Sequence, residues 1–191
     1  MIKSSPSGQG RGFIGFGLGF LSLAPVLGLS ALAAVFIYFQ GPAHGDEAKP
    51  PGAVMVARVV RVADGDTIVV EAEDGQEHRI RLYGLDAPEK SQAYGTEATQ
   101  YLASHLEEGQ TILLKTIDHD RYGRLVSLIH LIEKEPLNRK IISSGLAWRY
   151  NEYCRIPECE QWAEDEAQAR QNGLGLWHDH EPMPPWEYRH R

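Results

Sequence analysis

Two Asp-Gly pairs, Asp64-Gly65 and Asp74-Gly75, punctuate three short runs rich in β-branched residues, and this pattern constrains the fold more than any other feature of the chain. The runs are 54–62, 67–73 and 78–83. Asp-Gly between such runs is a strong hairpin signal, because glycine takes the positive φ that a tight hairpin turn needs. The expected product is a three-stranded meander. Beyond it, Thr96 can cap a helix that runs to about Leu106, with Ala98, Tyr101, Leu102 and Leu106 on one apolar face. Two further strands are expected at 110–116 and 125–132, then a short helix over 137–144 stopped by Gly145. An alanine-rich helix over 160–172 ends at Gly173, and the Pro-rich tail from Glu181 carries no periodicity. The order β-β-β-α-β-β, then helices, predicts a mainly β, α+β domain. Its form would be a five-stranded OB-type barrel with a helix between strands 3 and 4 and two C-terminal helices.

The first 52 residues are compositionally separate. Lys3 and Arg11 precede an uncharged stretch that is strongly apolar over 13–39. That length suffices to span a bilayer, which takes about 20 residues, and exceeds the ~7–15-residue apolar core of a cleavable signal. The length favours an uncleaved anchor; small-residue sites such as Ala31-Leu32-Ala33 leave a cleaved signal open. Positive charge before the span and near-cancelling charges after it place residues 1–12 in the cytoplasm and the remainder outside. Residues 40–53, rich in Gly and Pro, read as a linker to a domain at 54–177, with 178–191 as a C-terminal tail. Cys154 and Cys159 agree with export, since oxidising compartments favour disulfides; free thiols are the alternative.

The chain carries 19 basic and 26 acidic residues, a formal net charge of -7. An acidic body argues against a protein that holds nucleic acid through a broad basic surface, and predicts a shallow dependence of binding on salt. It leaves room for a site that meets phosphate locally. Within 26 residues, Asp64-Gly65-Asp66-Thr67 and Arg81-Leu82-Tyr83-Gly84-Leu85-Asp86-Ala87-Pro88-Glu89 gather carboxylates around an arginine; a further arginine follows in Asp120-Arg121-Tyr122-Gly123-Arg124. Carboxylate and carbonyl oxygens hold hard cations, and guanidiniums match phosphate oxygens two at a time. The combination points to metal-assisted cleavage of a phosphodiester. Read singly, each residue has a plainer role: Asp64 belongs to a hairpin turn, Arg81 to a solvated strand face, Arg124 to a strand start.

Taken together, the two motifs resemble the signature of the staphylococcal-nuclease-like (thermonuclease) family, over roughly residues 53–177. That resemblance implies a Ca²⁺ site made of Asp66, Asp86 and the backbone carbonyl of Ala87, a position where the family often has Thr. It implies Glu89 as general base, and Arg81 and Arg124 as the groups that bind phosphate and stabilise its five-coordinate state. It further implies DNA and RNA as substrates and 3′-phosphate ends as products. The sequence shows no obligate protein partner, and a monomer is expected. Arg121 and Tyr122 are weaker candidates for the nucleotide pocket, where an aromatic ring can stack on a base. Trp148, Tyr150 and Tyr153 fall where the family presents tyrosines to substrate, but their alignment does not assign them. His178 and His180 form a His-x-His in an extended tail, a poor metal scaffold. The competing classes are a non-catalytic OB module that binds nucleic acid or protein, and a Ca²⁺-stabilised envelope protein.

Overall fold

Alternation sets the inner face of the first strand: Met55, Ala57 and Val59 are buried while Val54 and Val56 are exposed, the period-2 signature of a sheet with one dry face. The computed structural model describes residues 50–131 and 135–191. The strands are β1 (Val54–Asp64), β2 (Thr67–Ala72), β3 (Glu77–Leu82), the two-residue β4 (Leu85–Asp86), β5 (Thr111–His119), β6 (Leu125–His130) and β7 (Trp148–Arg149). The helices are α1 (Gly95–Ser104), α2 (Leu137–Ser143), α3 (Glu158–Gln171) and the short α4 (Pro185–Tyr188), with a 3₁₀ turn at Gly175–His178.

Five strands close a barrel in the order β1-β2-β3-β6-β5, with β5 returning to β1. All pairings are antiparallel except β3 with β6, which run parallel. α1 lies between the third and fourth barrel strands, as the expected OB arrangement requires. Ile68, Ile80, Leu114 and Ile129 fill the interior, all with no exposed surface. Outside the barrel, β4 pairs with β7 as a separate two-stranded ribbon, which sets Asp86 opposite Trp148.

Asn138 at the start of α2 ties the barrel to this ribbon. Fully buried, it accepts from the Ile129 amide at 2.9 Å and donates to the carbonyls of Tyr83 at 3.0 Å and Ser127 at 3.1 Å. The Ser127 carbonyl also accepts from the Tyr83 amide at 2.9 Å, so Asn138 joins β6 and the β3–β4 bend in one network, and leaving such buried groups unsatisfied would cost about 1–3 kcal/mol each. Gly84 makes the bend between β3 and β4 at φ +75°, and a Cβ there would come within 2.8 Å of both Cys154 Sγ and the Trp162 ring. Cys154 and Cys159 are joined as a disulfide with Cα atoms 5.7 Å apart, and Trp162 of α3 is buried beside it.

Two elements differ from expectation. α1 begins at Gly95 rather than behind Thr96, and its cap is Tyr94 at φ 64° with no side-chain hydrogen bond. The tail also forms structure. Pro185, in the first turn of α4, is buried, and Trp186 packs on a second small core of Trp148, Ala169, Leu176 and Trp177. Residues 1–12, the apolar run 13–39 and most of the 40–53 linker lie outside the described residues, as does Ile132 at the end of the expected fifth strand. Among the described residues no helix is long and apolar enough to cross a membrane.

Candidate active site

The turn between β1 and β2 places Asp66 at the mouth of the barrel. Its backbone N–H donates to Asp64 Oδ1 at 3.2 Å, and its Oδ1 accepts from Thr67 Oγ1 at 2.8 Å. Thr67 stands directly opposite Arg81 in the β2–β3 register, so Arg81 projects beside the turn. Arg81 then reaches two carboxylates at once. Its Nη1 lies 2.9 Å from Asp66 Oδ2, and its Nη2 donates to Asp86 Oδ1 at 2.6 Å. The Ala87 amide also points to Asp66 Oδ2, at 3.4 Å. Residues 20 positions apart thus converge on one guanidinium.

Burial makes this cluster electrostatically strong. Asp66 and Asp86 are 6 % and 0 % exposed, and attraction between charges rises as water is excluded. Burial pushes the Asp64 carboxyl up to about 6, helped by the charge of Asp66. Burial would raise Asp66 as well, but the Arg81 guanidinium and the hydrogen bonds from its turn hold it below the usual carboxylate range. For Asp86 burial prevails and pushes it upward, opposed by Arg189 and Arg81.

Glu89 follows Pro88 and stands more open, with 41 % of its side chain exposed. Its amide donates to Gln92 Oε1 at 3.2 Å, and Gly95 lets the α1 start pass so close that a Cβ there would sit 1.9 Å from the Glu89 carbonyl oxygen. That approach explains why the helix begins at a glycine. Arg124 is held at the start of β6 by Asp120, which accepts its Nε at 2.6 Å and its amide at 2.9 Å. Arg121 and Tyr122 lie beside it on the same turn: Arg121 Nη2 donates to the Tyr122 hydroxyl at 2.7 Å, and Tyr122 is 69 % exposed.

One cavity of about 880 Å³ joins these groups; its walls include Asp66, Ala87, Glu89, Arg81, Arg121 and Arg124. Asp86 is not in the wall; it sits beneath two guanidiniums. Arg124 shares the cavity, but its charge is directed to Asp120 rather than to the acidic cluster. Cys154 and Cys159 lie outside this wall and brace the ribbon behind it.

Two contributors were not assigned from the sequence, Arg189 and Trp186. Arg189 donates through Nη2 to Asp86 Oδ2 at 2.7 Å, and through Nη1 to Asp86 Oδ1 at 3.2 Å and Glu89 Oε1 at 2.8 Å. The hydrogen bond to Asp86 in particular raises the Arg189 pKa above its ordinary value. Trp186 stacks on Tyr150 with ring centres 5.2 Å apart and planes 8° from parallel, and Tyr153 meets Tyr150 edge-on at 4.7 Å. The available signal was Pro184-Pro185 before Trp186-Glu187-Tyr188-Arg189: proline in the first turn of a helix is favourable, whereas a four-residue helix shows no periodicity.

Comparison with known proteins decides the kinship. The family model described as staphylococcal nuclease homologue matches residues 79–179. The chain belongs to this family. An uncharacterized endonuclease of Escherichia coli O157:H7 is 40 % identical over 134 residues, covering 70 % of this chain and 84 % of its own length. A micrococcal nuclease of Shigella flexneri is 36 % identical over 165 residues, covering 82 % and 88 %. An uncharacterized endonuclease of Haemophilus influenzae is 36 % identical over 132 residues, covering 69 % and 71 %. The matched segment of the family model takes in Arg81, Asp86, Ala87, Glu89 and Arg124, and begins after Asp66.

The donor chemistry of the cluster fits a hard divalent cation. Asp66 and Asp86 both turn a carboxylate oxygen to the Arg81 guanidinium, and the Ala87 amide lies against Asp66. Among the described residues, no three His, Cys, Asp or Glu side chains are grouped as a complete metal cage. Ca²⁺ takes about 6–8 oxygen ligands, and waters or phosphate oxygens can fill the balance.

Proposed function

We propose that the protein is an exported, membrane-anchored, Ca²⁺-dependent nuclease that hydrolyses phosphodiesters of DNA and RNA and leaves 3′-phosphate ends. The observation that carries this reading is the convergence of Asp66 and Asp86 on Arg81, with Glu89 and Arg124 on the wall of the same cavity. Nuclease activity agrees with the names of these relatives, an endonuclease and a micrococcal nuclease. Export and anchoring rest on the apolar run 13–39 and agree with the Cys154–Cys159 disulfide.

Asp66, Asp86 and the Ala87 carbonyl would hold the cation, whose charge would polarise the phosphate and fix the attacking water. The remaining chemistry belongs to side chains. Glu89, half-open to the cavity, takes the proton of the water as its oxygen bonds to phosphorus. The bond from phosphorus to the 5′ oxygen breaks, and the 5′ oxygen leaves as a hydroxyl after taking a proton from solvent, to which Glu89 returns the one it accepted. Negative charge grows on the non-bridging oxygens during attack. Arg81 and Arg124, fixed by Asp66, Asp86 and Asp120 before substrate arrives, stabilise that charge more than the ground state. Exposed Tyr122 and Tyr153 offer faces on which unpaired bases can stack.

Incubation with DNA and with RNA in Ca²⁺ or in chelator, followed by end-group analysis, tests the reading. Ca²⁺-dependent cleavage with 3′-phosphate ends is expected. Ends carrying 5′-phosphate, or intact substrate in every condition, would contradict it; intact substrate would favour a binding module.

A further inference from the structure

Asp86 has no exposed surface, and guanidiniums face both of its oxygens: Arg81 and Arg189 at Oδ1, Arg189 at Oδ2. A divalent cation can reach these oxygens only if one guanidinium yields, because two like charges cannot share so small a space. Arg81 is the poorer candidate to leave. It sits on β3, paired by β2 on one side and β6 on the other, and its side chain is 18 % exposed. It also holds Asp66. Arg189 follows a single helical turn, and its side chain is 38 % exposed.

The attachments of that segment suit a reversible strap. Trp186 stacks on Tyr150, the Tyr188 hydroxyl donates to the Ser91 carbonyl at 3.2 Å, and Gln92 donates to the Met183 carbonyl. Pro185 is buried and Trp186 also rests on the second small core, so the segment keeps an anchored base; the polar attachments that follow it lie near the surface, the kind that open at low cost. Arg189 also engages Glu89, so one displacement would uncover Asp86 and release the base together.

We propose that segment 183–189 is a tethered competitor of the divalent cation. Arg189 neutralises Asp86 and Glu89 when no cation is bound, and cation binding expels it. This rests on the cation-binding reading given above for Asp66 and Asp86. The coupling is reciprocal: whatever holds the strap down weakens the cation, and the cation loosens the strap to the same degree.

Calorimetric titration of the full-length chain with Ca²⁺ tests the proposal without reference to activity. A strap closed about nine-tenths of the time weakens apparent affinity about tenfold, so Arg189→Met should bind Ca²⁺ about tenfold more tightly than wild type. Trp186→Ala, which removes the stacking anchor, should tighten binding in the same direction. Arg191→Met deletes the same charge two residues away and should leave affinity unchanged. The Trp186 indole resonance should shift with Ca²⁺ in wild type, with a midpoint at the calorimetric Kd, and sit near its Ca²⁺-loaded position in Arg189→Met without Ca²⁺. Equal affinity in wild type and Arg189→Met, or equal tightening in Arg189→Met and Arg191→Met, overturns the competitor alone. Absence of Ca²⁺ binding in every protein overturns the cation reading as well.

Discussion

Replacing Arg81 with Met keeps most of the side-chain volume and removes the charge that two buried carboxylates share. Asp86 retains Arg189, but Asp66, 6 % exposed, keeps only hydrogen bonds from Thr67 and the Ala87 amide. Removing one partner of a buried pair typically costs about 3–5 kcal/mol, since it strands an uncompensated charge. The surviving Asp86 partner argues for the lower end, about 3 kcal/mol, a large share of the ~5–15 kcal/mol that holds a domain together. With a urea slope of about 2 kcal/mol/M, the unfolding midpoint should fall by about 1.5 M. The assay is urea unfolding in excess chelator, so that no cation replaces the guanidinium; added Ca²⁺ should return part of the loss. Asp66→Asn in the same background removes the stranded charge, so the double variant should be more stable than Arg81→Met alone. A loss below about 1 kcal/mol, or a double variant less stable than the single, would refute the view that Arg81 holds this cluster together.

Three further outcomes follow from the geometry. Replacing Cys154 and Cys159 with Ala opens a short loop with a sequence separation of 5 and should cost about 2 kcal/mol in unfolding experiments; no loss would show that Trp162 and Gly84 hold the ribbon unaided. Gly95→Ala forces a Cβ against the Glu89 carbonyl, so it should lower stability by about 1–3 kcal/mol and slow cleavage, read by thermal melting and initial rates. Asp64 has its folded pKa raised to about 6 from 3.8, so its contribution to stability is full below pH ~4 and is lost as pH rises through ~6. Asp64→Asn should flatten the melting-temperature profile across that window, and an unchanged profile would assign the pH dependence to other groups.

How much of this was legible in the sequence depends on the range over which each feature acts. The meander and the two later strands follow from local alternation and Asp-Gly turns, so their order emerged without tertiary information. The grouping of Asp66, Arg81, Asp86 and Glu89 was legible because two motifs at fixed spacing carry them, and the structure sets Asp66 and Asp86 on Arg81 with Glu89 nearby. The start of α1 was not, because it is set by contact between Gly95 and the Glu89 carbonyl rather than by the capping chemistry of Thr96. Arg189 was invisible for a stronger reason. It meets Asp86 across 103 residues, and its helix is a single turn without periodicity. The engagement of Arg124 by Asp120 is local, at four residues, yet an i,i+4 pair outside a helix leaves no pattern to read.

Whether the cavity around Arg81 hydrolyses phosphodiesters with Glu89 as base is decided by a single-turnover rate on an end-labelled DNA oligonucleotide. Wild type and Glu89→Gln are compared in Ca²⁺ and in excess chelator, with Ca²⁺ binding measured alongside. Wild type should cleave only with Ca²⁺ and fall silent in chelator, and Glu89→Gln should be about 10²–10⁴-fold slower with Ca²⁺ binding retained. Cleavage by Glu89→Gln at the wild-type rate, or cleavage by wild type that persists in chelator, would contradict that reading.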